Sequence, residues 1–167
     1  MSLKQKVGRQ VDLAVSGLEK ILALALIAGI CLNFINVGGR YLASVSIEGS
    51  DEVEIYILIA IAFLGAAVVT WRGMHLRMDV LMEAIGGRFR ALVSWIELAV
   101  TGVVAAFVAY YSFQYASKVY RLGAVSDIAG IPTWIPHSAV PVSLGLMVLF
   151  LIIRVWVGRG AAGEKSE

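Results

Sequence analysis

Glu97 is the residue whose placement first suggests chemistry, because it stands inside the apolar run 91–113. A charge at mid-bilayer costs about 2.5–3.5 kcal/mol on insertion scales, so a carboxyl group in such a run needs a reason. Three readings stay open for it: an ion or proton site, a pair with a neighbouring helix, or a side chain reaching back to the boundary. A second constellation brackets another apolar run, with Arg40, Asp51 and Glu52 before it and Arg72, His75, Arg77 and Asp79 after it. Arg40 at the depth of Asp51 and Glu52 fits an ion pair. The same acids also suit the N-terminus of a helix, where Ser50 or Asp51 would cap it and the dipole favours negative charge.

Other chemistry is excluded. His75 and His137 fall on opposite sides of the membrane in the topology below, so they cannot share a haem or a metal ion. The chain has no metal-ligand spacing of Cys and His, no glycine-rich phosphate loop, and no Ser or Cys nucleophile beside a credible base. It reads as a non-enzyme with no cofactor of its own.

The elements that must position these residues are apolar. The chain of 167 residues is 59% hydrophobic and 16% charged, with a mean hydropathy of +0.83. A membrane-spanning helix needs about 20 apolar residues, and four segments qualify: 21–37, 51–71, 91–113 and 136–157. The fold class is therefore an all-α integral membrane protein with four transmembrane helices, arranged as one membrane domain over 21–157. Eleven Lys and Arg residues flank one side of these spans, against three (Arg40, Lys118 and Arg121) on the other. The positive-inside rule then places both termini in the cytoplasm. The first apolar run is expected to be a span rather than a cleaved leader, since it is long and three more follow. Cys31, the sole cysteine, lies within it and has no disulfide partner in the chain.

In chain order, residues 1–20 form an amphipathic segment, with Leu3, Val7, Val11, Val15 and Leu18 along one face. It either lies on the cytoplasmic surface or continues into the first span. Ala25, Gly29, Asn33, Asn36 and Arg40 recur at helical spacing in a stripe that is small at one end and polar at the other. Lipid offers nothing to an amide, so this stripe is expected to face protein. Trp71 and Arg72 read as an interfacial anchor, followed by a short interfacial arm helix at 74–85 whose apolar face holds Met78, Leu81, Met82 and Ile85. Gly102, Ala105, Ala106 and Ala109 form a second small-residue face in the third span. Trp134 and Trp156 mark the two boundaries of the fourth span, Pro136 suits its start, and Pro141 should bend it. Residues 158–167 are a polar cytoplasmic tail.

One ordered set of short motifs runs through these elements: Asn36-Val37-Gly38-Gly39-Arg40-Tyr41, Asp51-Glu52, Phe63-Leu64-Gly65-Ala66-Ala67, then Arg72-Gly73-x-His75-Leu76-Arg77-x-Asp79, and Pro132-x-Trp134-Ile135-Pro136. It resembles the small membrane subunit, the DctQ-like or Q subunit, of tripartite ATP-independent periplasmic (TRAP) transporters. The resemblance implies a multi-pass protein of the bacterial inner membrane, bound to a large transport subunit, M, and working with a periplasmic solute-binding protein, P. It further implies sodium-driven uptake of a carboxylate-bearing solute, such as a dicarboxylate or sialic acid. Sodium and solute would sit on the large subunit, with this chain as an accessory scaffold. Asn33, Asn36, Arg40, Asp51, Glu52, His75, Arg77, Asp79 and Glu97 are the candidate structural or partner contacts. Trp71, Trp134 and Trp156 are the candidate anchors, lipid is a further partner, and the basic loops are membrane flanks rather than a nucleic-acid surface. Two other readings compete: a small homo-oligomeric proton-coupled transporter using Glu97, and a membrane anchor for another complex.

Overall fold

The computed structural model describes residues 2–73 and 87–158. The arm expected at 74–85, with His75, Arg77 and Asp79, and residues 159–167 lie outside the described residues.

Four helices make up the described chain: α1 (Leu3–Ala43), α2 (Ser50–Arg72), α3 (Gly87–Leu122) and α4 (Trp134–Val157). All four contain stretches long and apolar enough to cross a membrane. The helix α1 is a single rod of 41 residues, about 60 Å at 1.5 Å per residue, twice the hydrocarbon thickness. The amphipathic segment 1–20 therefore continues into the first span without a break. A capping box opens it: the Ser2 hydroxyl accepts from the Gln5 N–H, and the Gln5 side chain accepts from the Ser2 N–H. It stops at Ser44, which adopts a left-handed conformation with φ 54°.

The third helix also outruns its expected bounds, ending at Leu122 rather than at residue 113. Ala116 and Val119 in the added turns are buried, so tertiary packing continues the helix where hydropathy alone had weakened. Its inward face includes Gly102, where a Cβ would meet Leu151 at 3.8 Å, and buried Ala105. Ala106, from the same small-residue stripe, is exposed.

The last helix is the hub. The α4 helix packs against α3 on one side and α2 on the other, and also touches α1, which lies on α2. Gly8 of α1 meets Val157 of α4, so the start of α1 and the end of α4 sit at one end of the bundle, called here the termini end. The loops 44–49 and 123–133 occupy the opposite, loop end. Val15, Ala67, Val68, Trp71 and Phe150 form the buried core, close to the termini end. Val11 and Leu18, one helical repeat either side of Val15, pack onto it. Thr70 and Ser143 are fully buried hydroxyls, and each donates to the carbonyl four residues back, Ala66 and Ala139. That bond costs the helix little and leaves no polar hydrogen in the apolar interior.

Away from this core the helices are largely uncovered. Phe34 of α1 is 80% exposed and Val103 of α3 is 69% exposed. These side chains are too apolar to face water over such lengths, so lipid or another protein covers them.

Candidate functional site

Polar side chains gather at the two ends of the bundle, and each group closes junctions between elements. At the termini end Trp71 is 2% exposed. Its ring tilts against Phe150 at 5.7 Å and its indole N–H donates to Asp12 at 2.8 Å. This corrects the expectation of an interfacial anchor: Trp71 is the centre of the core, and Asp12 supplies the partner that a buried indole needs. Beside it Arg72 forms a fork with Glu19, donating from Nε at 2.8 Å and from Nη2 at 2.7 Å. Nη2 also reaches the Ser16 hydroxyl at 3.0 Å. Planar guanidinium and carboxylate match in this geometry, which fixes the rotation of α2 against α1.

From the other side, Arg154 of α4 donates to the Thr70 carbonyl at 2.8 Å, which at the end of α2 also accepts the Gly73 N–H at 3.3 Å. The guanidinium passes over Gly73, where any Cβ would run into it, and Gly73 also holds φ 70°. Trp156 is 45% exposed near this end, with Lys4 lying 5.8 Å over its ring.

At the loop end the stripe on α1 meets α2, as its residue types require. A Cβ on Gly29 would touch Ile57 at 3.6 Å. Asn33 donates to Glu54 at 2.8 Å, and Asn36, buried to 3% exposure, donates to Asp51 at 3.3 Å. The Asn36 carbonyl oxygen in turn accepts the Ile47 N–H at 2.9 Å, pinning the first loop. The acids are thus taken by amides. Arg40 is exposed and makes no ion pair among the described residues. The expected pairing with Asp51 or Glu52 is corrected accordingly: α1 places Arg40 one turn beyond the contact that Asn36 makes.

Glu52 does something that the sequence did not show. Its carboxylate accepts the N–H groups of Ile128 at 3.3 Å and Ala129 at 2.8 Å, tying the start of α2 to the second loop. Gly49 completes the joint. It has φ 77°, and a Cβ there would lie 2.8 Å from Ala129. Gly49, not Ser50 or Asp51, is the N-cap of α2, and no side chain caps it. Among the described residues the Ser50 hydroxyl is buried without a partner. The second loop is internally braced by Ser126, whose N–H donates to the Ile131 carbonyl at 2.8 Å and whose hydroxyl accepts from the Ile131 N–H at 3.1 Å. No residue spacing links Glu52 to positions 76 and 77 residues away.

Glu97 is half-buried on α3 and has an interaction partner. His137 stacks on Tyr115 at 5.2 Å, and Trp134, 37% exposed, meets Tyr120 edge-on at 5.5 Å. Among the described residues no group of three His, Cys, Asp or Glu side chains is placed to hold a metal ion. Asn33 and Glu54, bonded to each other, line a cavity of about 250 Å³ between α1 and α2 beside Gly29 and Ile57. The other polar contacts described above close junctions between helices.

Comparison with known proteins agrees with this architecture. Residues 29–159 match the family described as tripartite ATP-independent periplasmic transporters, DctQ component. The ectoine TRAP transporter small permease protein TeaB of Halomonas elongata is 33% identical over 150 residues, covering 86% of this chain and 77% of that protein. The C4-dicarboxylate TRAP transporter small permease protein DctQ of Rhodobacter capsulatus is 23% identical, covering 74% of this chain and about half (54%) of its own length. The isethionate TRAP transporter permease protein DctMQ of Oleidesulfovibrio alaskensis is 28% identical over 104 residues, 62% of this chain but only 16% of that longer protein. With the family match spanning most of the chain and four apolar helices in place, this multi-pass inner-membrane protein belongs to the DctQ component family of TRAP transporters, a small permease subunit and not an enzyme.

Proposed function

We propose that the chain is a fixed scaffold for a large membrane subunit that carries the solute. The observation that supports this most is how the polar groups are used. Asn33, Asn36, Asp51, Glu52, Arg72 and Arg154 all bind within the chain, while long apolar faces of α1 and α3 stay uncovered. A translocation site needs polar groups around a solute at mid-membrane. A scaffold needs rigid internal joints and a broad apolar face, and that is the arrangement here.

In this reading both termini are cytoplasmic and the loop end faces the periplasm, which the charge asymmetry supports. A periplasmic binding protein delivers a carboxylate-bearing organic solute to the loop end, and a sodium gradient drives uptake through the large subunit. The relatives are named for ectoine, C4-dicarboxylate and isethionate. Three different solutes on related small subunits support placing solute choice in the other components. The DctMQ name, on a protein of which this chain aligns with a small part, supports a large partner acting beside the small subunit.

Co-expression with the neighbouring large membrane subunit tests the reading. The expected result is a stable one-to-one complex whose sodium-dependent uptake in liposomes needs both subunits and the binding protein. Uptake of solute by this chain alone would overturn it.

A further inference from the structure

Between α3 and α4, toward the loop end, lies an open groove of about 800 Å³. Its floor is apolar, built by Ala109 and Phe113 of α3 with Pro141 and Val142 of α4. Its rim is cationic: Arg121 lines it directly, and Lys118 lines a smaller adjoining depression that shares Phe113, Ser117 and Arg121 with it. Neither Lys118 nor Arg121 makes an ion pair among the described residues. Trp134 and Tyr120, in edge contact at 5.5 Å, stand at the same mouth, and such aromatics mark the headgroup level of a bilayer.

The dimensions decide what fits. Ala109 and Arg121 are twelve residues apart on one helix, about 18 Å along its axis. Half of a hydrocarbon core is about 15 Å. The groove thus runs from the headgroup region to about the bilayer midplane and ends there. A transmembrane helix of a partner crosses both leaflets, whereas one acyl chain with its phosphate spans one. Two uncompensated cations at the rim favour a headgroup with net negative charge over a zwitterion that brings its own ammonium.

We propose that the α3–α4 groove binds one anionic phospholipid from the leaflet at the loop end, with an acyl chain along Phe113 and Val142 and its phosphate on Lys118 and Arg121. This site is independent of the scaffold reading and holds whether or not the large subunit is attached.

Native mass spectrometry of the full chain in neutral detergent, titrated with phosphatidylglycerol or phosphatidylcholine, tests it. Phosphatidylglycerol is expected to bind more tightly. The double change Lys118→Ala with Arg121→Ala should weaken it about 25-fold, each surface cation being worth about a factor of five, and should barely move phosphatidylcholine. Val142→Trp, at a position 56% exposed and so tolerant of bulk, should displace both lipids by filling the trough. Far-ultraviolet circular dichroism on each variant confirms that the fold is kept. Equal affinity for the two lipids overturns the proposal, as does unchanged phosphatidylglycerol binding in the double variant. So does a Val142→Trp chain that keeps its lipid but loses the large subunit, because the groove would then belong to a protein partner.

Discussion

Glu52 and Ala129 are 77 residues apart in sequence, yet the carboxylate of one accepts the backbone N–H of the other at 2.8 Å. That bond joins the start of α2 to the loop between α3 and α4, so both loops at this end form one surface. The negative carboxylate also sits in the first turn of α2, where the helix dipole favours it. Glu52→Gln keeps the size but removes the charge that strengthens these bonds. Hydrogen exchange at Ile128 and Ala129 is expected to accelerate, while exchange in the core at Val68 stays unchanged. Equal exchange at 128–129 in the two proteins would refute the joint.

Gly49 and Gly123 both adopt positive φ, at 77° and 61°, but only Gly49 lies against another chain segment. Replacing Gly123 by Ala should cost only the left-handed conformation, about 1 kcal/mol. Replacing Gly49 by Ala adds a collision with Ala129 and should cost roughly 1–3 kcal/mol more. Thermal melts of the two variants in the same detergent compare them directly.

Asn36 is buried and bonds both Asp51 and the Ile47 N–H. Asn36→Leu fills the volume but strands both partners. The expected loss is about 1–3 kcal/mol, read as a lower melting temperature and faster proteolysis in the loop 44–49. Asn33, being exposed, should tolerate the same change with a smaller loss.

Trp71 separates packing from hydrogen bonding. Trp71→Phe keeps a ring against Phe150 and gives up the bond to Asp12, at about 1–3 kcal/mol. Trp71→Ala empties the core and should cost about 3–5 kcal/mol. An interfacial tryptophan would show neither loss, so a melting curve distinguishes the two positions.

Arg40 makes no ion pair among the described residues, so Arg40→Ala should change the stability of the isolated chain by less than about 0.5 kcal/mol. Its effect is expected in the complex, as weaker co-purification with the large subunit or weaker coupling of transport. Solute selectivity should stay the same. A change of selectivity with the complex intact would contradict the scaffold reading.

Class, number of spans and family were legible in the sequence because they rest on local quantities. Hydropathy over a window marks each span, and side-chain spacing of three and four marks the stripe from which Gly29, Asn33 and Asn36 meet α2. The motif order from Asn36 to Pro136 needed no coordinates. What needed the tertiary structure was every contact between distant segments. Asp51 satisfied by Asn36 rather than Arg40, Trp71 turned inward onto Phe150 and Asp12, Glu52 closing on Ala129, and α4 acting as the hub all depend on how the rods rotate and cross. Helix periodicity fixes which residues share a face. It carries no information on which neighbour that face will meet, because in a membrane most apolar surfaces are interchangeable and a few polar bonds select the arrangement.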